Sequence, residues 1–551
     1  MRIRRFFVPL FLVAVAGLAI AALYSLDRLT PTRRSGAEGT SLGDIAPLTV
    51  DPLRADGRRW FVGEAMLASG PDNDARRADG SPTNRSAFLH VVNPGTVRAS
   101  VVVRIHTAAA PPRGIALEVG AGALTTLDLA ARDDIPRDTP SWIVVEADVP
   151  VFAQCEVADH RAWDPVPTTL SMPLPQRVAD IGWVFPDGFQ GGTESWHEDE
   201  TISLLNTAST DGQAQVTYRF RDGRDARTQT MPIAAGRVAV IDVWRAFAGT
   251  SPTNPLVVSG DYAVLVTADR PVVAQQTRRA RWRGLRDPEG IRVLAPIQVA
   301  LAQRTREWFY AGGWTRRLPV LPRDNYADRT WHLLFTHNLG TAPQSVEVEG
   351  VLTQASGQNE RVDFEVAQER SDLQWLHASP WRERLGEEIP WGLRLRSAGA
   401  IAPSVTNAEF EPWSQAMPGA MGASALVAGP LDGHREWWLG VARHGGRDDR
   451  ADDWHAGWQV MNPGTAPLTV SLRALGVAPP VAPVVIDVAP GTVRRVTGDE
   501  WPGLPTGVPF VVVATADQAF VAHAWLRVSA RGVAGTRALA SSPGVPMALL
   551  P

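Results

Sequence analysis

Phe88-Leu89-His90-Val91-Val92-Asn93-Pro94-Gly95 and Gly457-Trp458-Gln459-Val460-Met461-Asn462-Pro463-Gly464 share one form, an apolar strand that ends in Asn and runs into a turn. Pro fixes φ and Gly tolerates a positive one, so Asn-Pro-Gly is strong turn chemistry. Residues 202–206 and 333–338 are looser copies, ending in Asn206-Thr207 and Asn338-Leu339-Gly340. Upstream of each copy lies an aromatic opener: Trp60-Phe61, Trp183-Val184-Phe185, Trp308-Phe309 and Trp437-Trp438. A recurrence of roughly 125 residues is a domain period rather than a solenoid period.

The fold class this predicts is all-β: four tandem β-sandwich domains after an N-terminal transmembrane helix. The expected boundaries are 60–176, 177–303, 304–432 and 433–551. Within each repeat, short alternating strands are separated by turn signals every eight to twelve residues, and no long amphipathic helix interrupts them. Val216, Tyr218 and Phe220 alternate with Thr217, Arg219 and Arg221, the period of a half-buried strand. Gly120-Ala121-Gly122 carries hairpin chemistry, and Ala235-Gly236 and Pro490-Gly491 read as turns. Pro150 and Pro271 mark edges or corners between strands. Residues 368–385 form an inserted loop or short helix in repeat three. Each repeat is long enough to bury an interior of its own.

Residues 1–26 are expected to be a transmembrane anchor or a signal. Met1-Arg2-Ile3-Arg4-Arg5 is basic, and the apolar run at 6–26 has the length of a membrane-crossing helix. The basic start and the large C-terminal mass favour a single-pass protein whose body lies outside the cytoplasm. Residues 27–59, rich in Pro, Gly, Ser and Arg, read as a flexible stalk.

The chain has 551 residues, 44% hydrophobic and 20% charged, as folded proteins have. A net charge of −4 gives no reason to expect a nucleic-acid partner. Cys155 is the single cysteine, so no intrachain disulfide forms; in its apolar strand it reads as a buried, inert thiol.

The second repeat resembles the small β-domain of the sensory rhodopsin transducer family. Three stretches carry the likeness: Trp183-Val184-Phe185-Pro186-Asp187-Gly188, Glu200-Thr201-Ile202-Ser203-Leu204-Leu205-Asn206 and Arg270-Pro271-Val272-Val273-Ala274-Gln275-Gln276-Thr277-Arg278. The resemblance implies a β-sandwich that self-associates and binds a partner without catalysis. The family's His after the Gln of the last motif is Gln276 here, with Cys155 at the comparable place in repeat one. Four copies in one chain would replace an oligomer of separate subunits.

Candidate ligand-binding residues are Trp196, His197, Glu200, Gln275, Gln276 and Arg278. A Trp beside a polar ring, as in Trp196-His197, Trp331-His332 and Trp454-His455, can present a platform to a sugar or another planar ligand. The competing account is a Trp that covers the end of a sandwich, beside a His satisfied by backbone. Arg278, Arg279, Arg281, Arg283 and Arg286, with Trp282, form a basic patch suited to an acidic polymer or a solvated strand end. The acidic-basic loop 447–453 reads as solvated rather than as a Ca²⁺ site. No nucleophile-elbow, zinc-protease, P-loop or dinucleotide motif occurs, and no metal or cofactor is expected.

The function these features predict is non-catalytic binding or scaffolding, held to the membrane through residues 6–26, with a protein or glycan partner. The alternatives are a cell-envelope carbohydrate-active enzyme and a cytoplasmic-facing signalling partner.

Overall fold

The computed structural model describes residues 40–44, 56–63, 84–136, 139–160, 167–172, 175–176, 179–193, 196–243, 260–282, 290–294, 299–300, 305–315, 330–352, 361–386, 388–410, 418–429, 431, 434–446, 452–531 and 538–547. The expected anchor at 6–26 and most of the stalk lie outside the described residues; where the stalk is described it is not a free linker, since Thr40–Asp44 pairs antiparallel with residues 113–116 and Arg59 opens the next strand. Among the described residues no helix is long and apolar enough to cross a membrane.

Repeat one supplies β1 (Thr40–Asp44), β2 (Arg59–Val62), β3 (Asn84–Val92), β4 (Ala99–Thr107), β5 (Arg113–Val119), β6 (Leu124–Asp128), β7 (Ser141–Ala147), β8 (Phe152–His160) and β9 (Pro167–Ser171). They form two sheets, β1-β5-β4-β7-β2 and β6-β3-β8-β9. Along β4, Val101, Val103 and Ile105 are buried while the residues between them are not, so the period read from sequence points one face inward.

Repeat two has β10 (Asp180–Thr193), β11 (Trp196–Asn206), β12 (Gly212–Phe220), β13 (Arg227–Ile233), β14 (Val238–Asp242), β15 (Gly260–Trp282), β16 (Gly290–Leu294) and β17 (Val299–Ala300). Here β15 runs unbroken through Pro271, pairing β10 and β12 with its first half and β11 with its second. The two layers therefore count as one sheet.

Repeat three has β18 (Glu307–Trp314), β19 (Trp331–Asn338), β20 (Gln344–Leu352), β21 (Arg361–Val366), β22 (Ser371–Trp375), helix α1 (Trp381–Leu385), β23 (Pro390–Ser397), β24 (Ile401–Phe410), β25 (Pro418–Ala425) and β26 (Val427–Ala428). Its sheets are β21-β20-β23-β18-β26 and β22-β19-β24-β25. The segment expected to be an insertion supplies both an edge strand, β22, and the short helix.

Repeat four has β27 (Glu436–Ala442), β28 (Gly445–Gly446), β29 (Asp452–Asn462), β30 (Leu468–Leu475), β31 (Val484–Val488), β32 (Thr492–Thr497), β33 (Phe510–Ala516), β34 (Val521–Ala530), β35 (Ala538–Pro543) and β36 (Val545–Pro546). The order β31-β30-β33-β27-β36 repeats that of its sisters.

The hairpin expectation is corrected by this pairing. β5 pairs with β4 while β6 pairs with β3, so Gly120-Ala121-Gly122 carries the chain from one sheet to the other. The turn at Pro490-Gly491 does the same, and the one at Ala235-Gly236 carries the chain between the two layers of repeat two's single sheet. Turn chemistry sets the local reversal; the sheet in which the next strand pairs is set by burial on the far side.

The strand-ending Asn pins this switch in all four repeats. Asn93 Nδ2 donates to Val97 O at 2.7 Å and Val119 O at 3.1 Å, and its Oδ1 accepts the Gly95 N–H at 2.9 Å. Asn206 bonds Thr210 O, Ile233 O and Ala208 N in the same way. Asn338 bonds Ala342 O, Val366 O and Gly340 N. Asn462 bonds Ala466 O, Val488 O and Gly464 N. Each Asn thus ties the end of its own strand to the last carbonyl before the chain changes sheet. The opener Trp60, Trp183, Trp308 and Trp437 are all buried. Trp60 Nε1 donates to Val151 O at 2.6 Å and Trp183 Nε1 to Val272 O at 3.0 Å, while the Trp308 and Trp437 N–H groups have no acceptor among the described residues.

The repeats contact one another in cyclic order. Gln275 of repeat two occupies the space over Gly63 of repeat one, where an added Cβ would lie 1.4 Å from its Oε1. His523 of repeat four lies over Gly312 of repeat three in the same manner, and Gln154 of repeat one over Gly440 of repeat four. Register places Ser404 at this position in repeat three, and Thr406 beyond it donates to Asp187 of repeat two at 3.0 Å. Each repeat's late strand thus seats on the opener of the repeat before it, and repeat one seats on repeat four. The closing strands meet as well: β9 packs on β16 and β35, and β25 packs on the same two.

The interiors are not independent, contrary to the sequence expectation. One buried cluster holds the cores of repeats one and four, where the Phe152 and Trp438 rings stack with centroids 5.2 Å apart. Phe61, Trp142 and Val144 of repeat one join the core of repeat two, and Val184 of repeat two joins that of repeat three. Glycines in the openers let the neighbouring chain approach closely enough for this.

Candidate functional site

Glu200 on β11 lies opposite Arg278 on β15, and Ile202 lies opposite Gln276. Side chains alternate along a strand, so Glu200, Gln276 and Arg278 share one face, while Ser203, Gln275 and Thr277 share the other. The structure therefore brings together three of the four β-strand candidates. Gln275 instead serves the contact with repeat one, beside Ser203, whose Oγ accepts the Trp142 Nε1–H at 2.8 Å.

The shared face is buried, with Glu200 0%, Gln276 2% and Arg278 7% exposed. Arg278 Nη1 donates to Asp187 O at 2.8 Å and to Asp187 Oδ2 at 3.3 Å, which removes Arg278 from the basic patch read in the sequence. Thr406 of repeat three donates to the same Oδ2. Glu200 Oε2 accepts the Phe189 N–H at 3.2 Å. Gln276 and Tyr262 lie close enough to act on the Glu200 carboxyl, yet neither completes a hydrogen bond of normal geometry to it. Among the described residues, Glu200 Oε1, Asp187 Oδ1, Gln276 Nε2 and the Tyr262 hydroxyl have no hydrogen-bond partner of normal geometry.

Burial pushes the Glu200 carboxyl up to about 8, against the opposing pull of Gln276 and Arg278. Burial also raises Asp187, outweighing Arg278 and Thr406. The Tyr262 hydroxyl is raised well above its ordinary value by burial and then by Glu200. At neutral pH Glu200 is therefore largely protonated and able to donate. Asp187 and Tyr262 were not among the sequence candidates, although Asp187 stands in the opener motif Phe185-Pro186-Asp187-Gly188.

Trp196 and His197 begin β11, opposite Trp282 and Arg281; their side chains lie outside the described residues. The other Trp-His pairs do not form joint platforms. His332 is buried, its Nδ1 2.6 Å from Asn407 Oδ1 and its Nε2 3.1 Å from Trp314 O. Trp454 is buried, donating to Asp452 Oδ2 at 2.6 Å beneath the Arg443 guanidinium. Cys155 is fully buried and its thiol is pushed far up by burial. Among the described residues no three His, Cys, Asp or Glu side chains are grouped to hold a metal ion.

The sister repeats provide an internal comparison. The Glu200–Arg278 cross-strand position is Ala87–Val157 in repeat one and Ala456–Leu526 in repeat four, both apolar. In repeat three it is His332–Asn407. Asn407 Nδ2 reaches Tyr310 OH at 3.4 Å and Ser541 Oγ at 3.3 Å, and Ser541 Oγ lies 2.8 Å from His523 Nε2. Burial lowers His332 to about 4 and His523 to about 3, so both are neutral. Only repeats two and three keep a polar pair at this position.

Residues 179–283 match the family of the Anabaena sensory rhodopsin transducer. The resemblance read in repeat two therefore holds over the span that carries the Glu200–Arg278 pair. A Thermotoga maritima protein, 1070, is 19% identical, covering 22% of this chain and 90% of its own, with a TM-score of 0.17. The Anabaena sensory rhodopsin transducer is 20% identical, covering 18% of this chain and 85% of its own, with a TM-score of 0.15. A Bacteroides uniformis β-glucuronidase is 11% identical, covering 43% of this chain and 27% of its own, with a TM-score of 0.12. No curated protein matches the chain.

Proposed function

We propose that this chain is a membrane-anchored, non-catalytic binding or scaffolding protein. Residues 6–26 hold it in the membrane, and four transducer-like β-sandwich domains, 60–176, 177–303, 304–432 and 433–551, stand outside the cytoplasm as a covalent pseudo-fourfold ring. The observation that carries this reading is the cyclic seating of Gln154, Gln275 and His523 on the opener glycines Gly440, Gly63 and Gly312. A heterologous contact that repeats in one direction closes into a ring, and a ring of alike units is a platform for partners. The apolar run of Phe6, Leu10, Leu12 and Val15 and the basic start support the anchor.

The test is a topology and turnover experiment on the full chain. Alkaline phosphatase fused after Pro551 should be active, and the protein should sediment with membranes. A cytoplasmic C-terminus would overturn the placement. Glycan hydrolysis by the purified chain, lost in Glu200→Gln, would overturn the non-catalytic reading.

A further inference from the structure

We propose that the open edge of β31 pairs antiparallel with β31 of a second copy of this chain, joining two rings through one continuous outer sheet. The protein itself shows that this edge of the sandwich accepts a strand. In repeat one β1 lies beyond β5, with Thr40 opposite Ala116 and Ser41 opposite Ile115. The same edge is formed by β13, β21 and β31 in the other repeats, and among the described residues no strand lies beyond them.

Register relates the four edges residue by residue. Val119, Ile233, Val366 and Val488 pair with Ala99, Gly212, Gln344 and Leu468, which stand at the same distance from the strand-ending Asn of each repeat. Counting back from them, Ile115-Ala116-Leu117-Glu118-Val119 corresponds to Val484-Val485-Ile486-Asp487-Val488, apolar and acidic at the same places. The edge that already carries a strand therefore has its nearest likeness in β31. Val485 takes the place of Ala116, and at 61% it is the most exposed large apolar side chain among the described residues. The other two repeats hold Thr230 and Asp363 there.

Self-pairing is blocked in two of these edges and open in the third. An antiparallel pair of identical strands sets the neighbours of its central residue opposite one another. In β21, centred on Phe364, Asp363 would meet Glu365, two like charges. In β13, centred on Met231, Thr230 would meet Pro232, which has no N–H to give to a ladder. Charge and Pro are the usual means by which sheet edges are kept apart. In β31, centred on Ile486, Val485 meets Asp487 of the second copy, so no like charges face each other and no Pro interrupts the strand. Asp487 already accepts the Thr469 hydroxyl at 2.7 Å within its own sheet. Pro483 ends the pairing at Val484. One such edge per chain closes a dimer on a two-fold axis and builds no filament. A contact one strand long belongs with the small interfaces, so association is weak and rises with concentration.

Light scattering of the full chain in detergent, coupled to gel filtration, tests this. The parent should shift from one chain mass towards two as its concentration rises. Val485→Asp sets an acid opposite Asp487 and should keep to one chain mass at roughly tenfold the concentration that half-dimerises the parent. Its melting temperature should match the parent's, since repeat three folds with Asp363 at this position. Because Cys155 is buried, Val485→Cys carries the one reactive thiol, and a short bismaleimide should link it into a dimer. Thr230→Cys, at the same register position in repeat two, should stay unlinked. A parent of one chain mass throughout, Val485→Asp that associates as the parent does, or equal linking of Thr230→Cys would overturn the proposal. So would a monomer whose Val485→Cys thiol is protected by a peptide of residues 40–44, which would give the edge to the stalk strand. Mass and cross-linking do not depend on membrane topology, which the reporter fusion reads separately.

Discussion

Gln154 Oε1 accepts the backbone N–H of Val441 at 2.8 Å across 287 residues of chain, and the contact closes the ring of repeats. Two residues along β8, Glu156 binds Arg443 at 2.7 Å, and His90 lies 3.2 Å from the other carboxylate oxygen. Both partners of the Glu156–Arg443 pair are almost fully buried. Attraction across such a seam is strong, yet so is the cost of taking each charge out of water.

Removing one partner of that pair should therefore cost much more than removing both. Glu156→Ala is expected to lose about 3 to 5 kcal/mol, because Arg443 is left charged and buried. The double variant Glu156→Leu, Arg443→Met should recover much of this loss. Urea unfolding followed by Trp fluorescence measures both, with limited proteolysis reporting whether repeat four detaches from repeat one.

Glu200 gives a pH dependence with a definite sign. Its folded pKa, about 8, lies above the ordinary 4.5, so the folded state holds a proton that the unfolded state has lost. Stability should fall as pH rises from about 4.5 towards about 8, by at most about 1.4 kcal/mol per pH unit from this group, and level off above. Glu200→Gln should remove that slope and gain stability relative to the parent at pH 8. Thermal unfolding between pH 5 and pH 9 reads the difference.

The four turn asparagines should behave alike. Replacing Asn93, Asn206, Asn338 or Asn462 by Ala strips at least two carbonyls, one of them buried, and one N–H of a partner, and each change should cost about 1 to 3 kcal/mol locally. Hydrogen exchange at the Gly95, Ala208, Gly340 and Gly464 amides should accelerate only in the repeat that carries the change. A spread of exchange into all four repeats would show that the turn supports the ring rather than its own sandwich.

Cys155 should be silent in the folded protein. Burial holds its thiol protonated, and only the thiolate reacts. Iodoacetamide at pH 8 should label it only after denaturant has unfolded repeat one, as mass spectrometry of the Cys155 peptide would show.

The Asn strands, the Trp openers and the all-β class were legible because each rests on local chemistry: alternation, Asn-Pro-Gly turns and buried indoles. The sheet switches were not. Gly120-Ala121-Gly122 looks the same whether the next strand pairs with its predecessor or crosses the sandwich, and only packing decides. The candidate site was half legible. Glu200, Gln276 and Arg278 fall on one face, but adjacent Gln275 is turned by the pleat into a different interface, and Thr406 arrives from another repeat. Such juxtapositions depend on how repeats meet, which no stretch of a single repeat encodes. Joined interiors, as at Phe152 and Trp438, were hidden for the same reason.

An assembly of identical subunits must accept every mutation in all its copies at once. Joining the units head to tail lifts that constraint, so a change at one seat leaves the other three untouched. Glu200 facing Arg278, where Ala87 faces Val157 in the first unit, is one result of that freedom. Repeat two thus carries a buried Glu–Arg pair at a position that repeats one and four fill with apolar side chains.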